Sequence, residues 1–164
     1  MIYILEKYGK MSQIALQTGP KMLDDRIVQF IRQFEGCRLA AYLDSAGVWT
    51  VGYGETGSHV GPRTKVTQEE AEVFLARSAR KANDCVRRFV EPVLSEFQLA
   101  ALTSLVFNIG CGAFRKSTLL QKMNAGDFNG ASLEFPRWTK AGGKSLPGLV
   151  KRRAAEQHLF TEGW

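Results

Sequence analysis

The stretch from Phe97 to Phe107 is apolar on nearly every face of a helix, with Ala100, Ala101, Leu102, Leu105, Val106 and Phe107 leaving little polar surface. Such a helix is stable only with other elements packed around it, so it belongs in the middle of a domain. Ser95-Glu96-Phe97-Gln98 reads as a capping box at its start, and Asn108-Ile109-Gly110-Cys111-Gly112 ends it. A chain of 164 residues, 45% hydrophobic and 23% charged, is long enough to bury this helix within one domain. The same composition argues against disorder.

The flanking segments supply the surroundings. Asp24 or Asp25 caps a helix whose apolar face is Ile27, Val28, Ile31 and Phe34, and Gly36 is expected to close it. Residues 37–62 carry Tyr42, Val48, Trp49, Val51 and Tyr53 between glycines, the pattern of a small β-hairpin sheet and the only sheet expected. Thr67-Gln68-Glu69-Glu70 is a second capping box, opening a helix to about Arg88. Phe74, Ser78, Ala82, Cys85 and Phe89 trace one face of that helix, and Pro92 stops it. Shorter helices are expected over about 117–125, over about 128–138 with a kink at Pro136, and over about 147–160. Pro147 suits the first turn of the last one. Helix, small sheet and a run of helices make an α+β domain, a small antiparallel hairpin lobe beside a mainly helical lobe with a cleft between them.

Residues 1–23 lack a period and end in the loop signal Thr18-Gly19-Pro20-Lys21. They read as a dispensable N-terminal arm, with Met11 and Met22 as alternative starts, leaving 24–164 as the domain. No run approaches the roughly 18 apolar residues of a membrane-spanning helix. The best candidate, Ile2 to Leu5, is broken by Glu6 and Lys7, and the apolar core of a secretory signal is missing. No stable membrane insertion is expected.

Lys and Arg number 22 against 16 acids, a formal charge of +6. The excess is spread out, with Lys151-Arg152-Arg153 its densest cluster, and lacks the interleaved aromatics of a nucleic-acid binder. No nucleic-acid partner is expected, although the surface would favour polyanions in general. Cys37, Cys85 and Cys111 are widely spaced, and with only His59 and His158 they form no zinc pattern. They read as three mostly buried thiols in a reducing cytoplasm.

Glu35 falls at the carbonyl end of the first helix, beside Phe34, surroundings that suit a proton donor. Nine positions later Asp44 lies in a polar turn with Ser45 and Gly47, where it should stay ionised. Two carboxylates in contrasting surroundings are the pair a glycoside hydrolase uses. Six positions further, Thr50 offers a hydroxyl able to orient a water. Gly52, Gly54 and Gly57 also spell a dinucleotide fingerprint, but Ser58-His59-Val60-Gly61-Pro62 follows them as loop where that motif requires a helix.

Phe34-Glu35-Gly36, Ala41-Tyr42-Leu43-Asp44 and the run Gly47-Val48-Trp49-Thr50-Val51-Gly52-Tyr53-Gly54 resemble the active-site segment of phage-type lysozymes, glycoside hydrolase family 24. The similarity continues through Val66-Thr67-Gln68-Glu69-Glu70-Ala71, Phe107-Asn108-Ile109-Gly110, Phe114, Ser117 and Arg137-Trp138 to Leu146-Pro147-Gly148-Leu149 and Arg152-Arg153. The resemblance implies a lysozyme-like fold. It also implies an endolysin that cuts the β-1,4 bond between N-acetylmuramic acid and N-acetylglucosamine, acting as a monomer without metal or cofactor. Glu35 carries over as general acid, Asp44 as second carboxylate and Thr50 as the holder of the attacking water. Family members typically invert the anomeric centre, which calls for carboxyl groups roughly 6.5–9.5 Å apart.

Phe107, Asn108 and Ser117 match positions lining the family's saccharide cleft, although core filling and capping would explain Phe107 and Asn108 equally well. One of Arg152 and Arg153 is expected to pair with Glu35. Glu55 stands where many members have histidine and adds a third carboxylate near the site. Endolysins of this family often accumulate in the host cytoplasm and reach the periplasm through a phage-made membrane lesion, the route expected here. The alternatives are a lysozyme-like domain that binds wall or protein without cutting it, and a related enzyme of different glycan specificity such as a chitinase.

Overall fold

A computed structural model describes residues 24–44 and 46–164. The arm assigned to residues 1–23, with Met11 and Met22, lies outside the described residues, as does Ser45.

Helix α1 (Asp25–Arg32) is capped by Asp24, whose carboxylate accepts from the Arg26 amide, and buries Ile27, Phe30 and Ile31. It ends earlier than Gly36, which does not adopt the left-handed conformation of a helix-closing glycine. Local contacts mark the end. Phe34 meets the ring of Phe30 edge to face at 5.3 Å, while the amides of Phe34 and Glu35 reach back to the carbonyls of Ile31 and Arg32. The helix therefore tightens into a final turn that delivers Glu35 just beyond it.

The first sheet is antiparallel in the order β1 (Arg38–Leu43), β2 (Trp49–Gly52), β3 (Glu55–Thr56). Arg38 faces Gly52 and Tyr42 faces Thr50, so four steps along β1 oppose two along β2. This bulge bends the strand that separates Glu35 from Asp44. Gly52 has φ +63°, and a Cβ there would press on the Ala71 side chain at 3.2 Å. Only glycine lets the sheet lie this close to the next helix.

That helix, α2 (Gln68–Phe89), opens with the expected capping box between Thr67 and Glu70. Its buried residues include Ala71, Leu75, Ala79, Ala82, Cys85 and Val86, so Ala82 and Cys85 of the expected face are buried, while Phe74, Ser78 and Phe89 lie at its half-buried edge. The alanines allow close approach to α3 (Glu96–Ile109), where Ala100 to Val106 are buried without interruption. The central helix is thus where its composition puts it, between α2 and the last helix.

Helices α4 (Cys111–Arg115), α5 (Thr118–Asn124) and α6 (Phe128–Ser132) follow, then a 3₁₀ turn (Phe135–Arg137) containing Pro136 and α7 (Pro147–Glu162). Between the last two, β4 (Lys140–Ala141) and β5 (Lys144–Ser145) form a second, two-stranded sheet that the single-sheet expectation omitted. Gly142 and Gly143 both have positive φ, the requirement of its two-residue turn. The cysteine reading is corrected as well. Cys85 and Cys111 form a disulfide joining α2 to α4, and Cys37 is free and exposed. Pairing of the first two depends on helices that meet only in the folded chain.

Candidate active site

Two groups of side chains flank β1 along the chain, one holding Glu35 just before the strand and the other Asp44 just after it. The first begins with Glu35, whose side chain is 21% exposed and whose Oε1 accepts from Arg152 Nη1 at 2.5 Å. Arg152 stands on α7 and is buried. Its Nε donates to Glu156 Oε1 at 3.0 Å, and its Nη2 reaches the carbonyl and hydroxyl of Ser104 on α3. The guanidinium also lies over the rings of Phe34 and Phe107, 5.3 and 5.9 Å from their centroids, a favourable cation–π placement. The expected arginine partner of Glu35 is therefore Arg152. Glu35 Oε2 takes no hydrogen bond from the described residues.

Arg153, the neighbour, serves a different residue. Its Nη2 donates to Asn108 Oδ1, its Nη1 to Glu156 Oε2 and its Nε to the Trp138 carbonyl. Burial pushes the Arg153 guanidinium below its ordinary pKa, and Glu156 opposes that effect. Arginine has range to spare and stays a cation. Asn108 itself is exposed at the end of α3.

The second group lies on the sheet. Asp44 Oδ1 accepts from the amides of Ala46 and Val48 at 2.8 and 2.9 Å, fixing the carboxylate in the turn after β1. Its Oδ2 takes no hydrogen bond from the described residues. Thr50, 4% exposed, donates its hydroxyl to the Val48 carbonyl at 3.0 Å. One residue, Val48, thus orients both side chains, and the Thr50 oxygen keeps its lone pairs as acceptors.

Phe107 is half-buried and borders a cavity of about 30 Å³ with Tyr53, Glu55 and Phe74. Ser117 is placed differently. It is buried, caps α5 by accepting from the Leu120 amide, and donates to the Phe114 carbonyl at 2.7 Å. Glu55 is 10% exposed at its side chain and is answered by Arg77 and His59.

Sequence reasoning missed the supports behind these groups, chiefly Glu156 and Ser104. It also missed the cluster in which Tyr53 donates to Glu72 at 2.8 Å and Arg32 and Gln68 converge on the same carboxylate. Burial raises the Tyr53 pKa, as does the neighbouring Glu72. Burial would raise Glu72 too, but the hydrogen bonds from Tyr53, Gln68 and Arg32 outweigh it and hold the carboxyl below its usual range. The signal available in the sequence was the i, i+4 spacing of Gln68 and Glu72.

The phage lysozyme family model matches residues 32–156, which includes both groups. The chain belongs to the phage lysozyme family. An endolysin of Acyrthosiphon pisum secondary endosymbiont phage 1 is 45% identical over 143 residues, covering 84% of this chain and 97% of that protein. The endolysin of Bacillus phage PZA is 42% identical over 83% of this chain, which spans about half of that longer relative, 54%. A SAR-endolysin of bacteriophage PS119 is 40% identical, covering 79% of this chain and 77% of that protein. Among solved structures, the muramidase domain of SpmX from Asticaccaulis excentricus superposes with TM-score 0.78 at 34% identity, covering 84% of this chain and 96% of that domain. A P22 lysozyme mutant gives 0.73 at 32% identity, covering 86% and 99%. The lysozyme-like α+β fold is therefore established. The family's activity comes with it: the protein is a muramidase-type glycoside hydrolase, a peptidoglycan-degrading endolysin of phage-directed host lysis.

Proposed function

We propose that Glu35, Asp44 and Thr50 carry out the hydrolysis, and that the bond cut is the β-1,4 link from N-acetylmuramic acid to N-acetylglucosamine. The observation that supports this best is the shared hold of Val48 on Asp44 and Thr50, which turns a carboxylate and a hydroxyl into one rigid acceptor pair. Such a pair can hold a water and take up its proton as it attacks the anomeric carbon. Glu35 delivers a proton from Oε2 to the departing glycosidic oxygen, while Arg152 fixes Oε1. Attack and protonation occur on opposite faces of the sugar, so the product has the inverted configuration.

Phe107 and Asn108 contact the glycan strand, Phe107 with its half-buried ring and Asn108 with its amide nitrogen, its oxygen being engaged by Arg153. For Ser117 the reading is narrower, since both functions of its hydroxyl are occupied in the cap. It supports the cleft by fixing α5. The enzyme works as a monomer without metal or cofactor, and its partner is the peptidoglycan strand, not nucleic acid.

Among the described residues no helix is long and apolar enough to cross a membrane. The proposed route is accumulation in the host cytoplasm and passage through a phage-made membrane lesion. Cys85 and Cys111 would then join on arrival in the oxidising periplasm. Turbidity of a peptidoglycan suspension tests the catalytic assignment. It should clear with the parent enzyme and stay cloudy with Glu35→Gln; equal clearing would refute it. Active enzyme in the periplasm of cells lacking any phage lesion protein would refute the route.

A further inference from the structure

We propose that Glu156 is a positioning residue that sets both the placement and the charge balance of the site, acting on Glu35 through Arg152 and on Asn108 through Arg153. The inference deepens the reading of Glu35 as general acid and rests on it.

Glu156 is completely buried. Its Oε1 accepts from Arg152 Nε and from the Ser104 hydroxyl at 2.7 Å, and its Oε2 accepts from Arg153 Nη1. Each arginine then turns its other side to the site, Arg152 to Glu35 and Arg153 to Asn108. One carboxylate thereby fixes two forks that face two different site groups. A long side chain held at only one end would sweep several rotamers, whereas a guanidinium bonded on both edges is locked in its plane.

Charge gives a second consequence. Arg152, Arg153 and Glu156 together carry one positive charge, which an ionised Glu35 cancels. When Glu35 holds the proton it must donate, a single positive charge remains. Without Glu156, Glu35 would face two uncompensated cations, and its proton would be lost at lower pH. Other charged groups on the elements packed against α7 are answered locally: Glu134 pairs with Arg137 and Lys122, and Glu96 pairs with Arg26. A buried ion cluster is seldom the most stable way to fill a core, and apolar residues of similar volume often do as well. Its value here lies in holding and tuning the acid.

The test is the pH dependence of kcat and KM on soluble peptidoglycan fragments, with folding followed by circular dichroism. For Glu156→Gln the alkaline limb of kcat/KM should move to lower pH by ~0.5–1 unit. The double variant Glu156→Gln with Arg153→Met restores the net charge. Its limb should return to the parental position, while KM rises because Asn108 has lost its Arg153 partner. A folded Glu156→Gln enzyme with an unmoved limb would overturn the proposal. So would a double variant whose limb remains shifted, and the double variant decides alone if the single one does not fold. Glu35→Gln, run in parallel, separates the two levels. If it is inactive, an unmoved limb condemns only the role of Glu156; if it is active, the assignment of the acid has failed.

Discussion

Arg152 donates from Nη1 to Glu35 Oε1 across 117 positions of sequence, tying the turn after α1 to the last helix. Because Arg152 is buried and also serves Glu156 and Ser104, the pair cannot be rearranged without disturbing the core. Arg152→Ala should destabilise the protein by about 3–5 kcal/mol, since it leaves Glu156 with a buried and partly unanswered charge. Arg152→Lys should cost less stability but at least about tenfold in kcat, because an ammonium cannot bridge both carboxylates in one plane. Chemical denaturation and kcat measured on the two variants check this.

The disulfide closes a loop of 26 residues between α2 and α4. Reducing it should lower stability by roughly 2–4 kcal/mol, seen as a fall in Tm on adding dithiothreitol. Thiol titration of the unfolded, unreduced protein should find the one free group at Cys37. An unchanged Tm, or more than one free thiol, would contradict the pairing.

Glu134 is buried against Lys122 and Arg137, and its carboxyl is held below the usual range, first by the Lys122 hydrogen bond and then by Arg137. A lowered folded-state value means stabilisation that is complete above the unfolded value of about 4.3 and lost as pH falls through the folded value. Glu134→Gln should therefore cost about 1–2 kcal/mol at pH 7. The gap to the parent should close in acid, below the ordinary glutamate range. Urea titrations at pH 7 and pH 3 give the comparison, and a gap that stays constant would contradict the assigned cause.

Glu55 adds a third carboxylate at the cavity that Phe107 borders, but its charge is already met by Arg77, and His59 Nε2 lies 3.1 Å from the same oxygen. Glu55→Gln should leave the pH–activity profile unchanged and reduce only stability, by about 1 kcal/mol. A displaced acid limb would show that Glu55 acts on the catalytic pair.

What could be read from the sequence was what depends on neighbours along the chain. Both capping boxes are local, and both formed between the residues expected. The burial of Ala100 to Val106 follows from composition alone. The turn around Asp44 was legible because Asp44 and Gly47 lie three positions apart. Features that depend on distant parts of the chain were not. The partner of Cys85 lies 26 positions away. Glu156 sits among Lys151, Arg152 and Arg153, where a glutamate reads as one more solvated charge; only packing of α7 against α3 buries it. The β4–β5 hairpin lacks apolar alternation, and Gly142-Gly143 was its sole signal.

The central claim is that Glu35 gives the proton while Asp44 and Thr50 deliver the water. Mass analysis of muropeptides released from purified sacculi, with proton NMR of the fresh products, tests it most directly. The parent enzyme should release fragments ending in reducing N-acetylmuramic acid of inverted configuration. Glu35→Gln should lower the rate at least ~10²-fold. Fragments ending in N-acetylglucosamine, retention of configuration, or equal release by Glu35→Gln would contradict it.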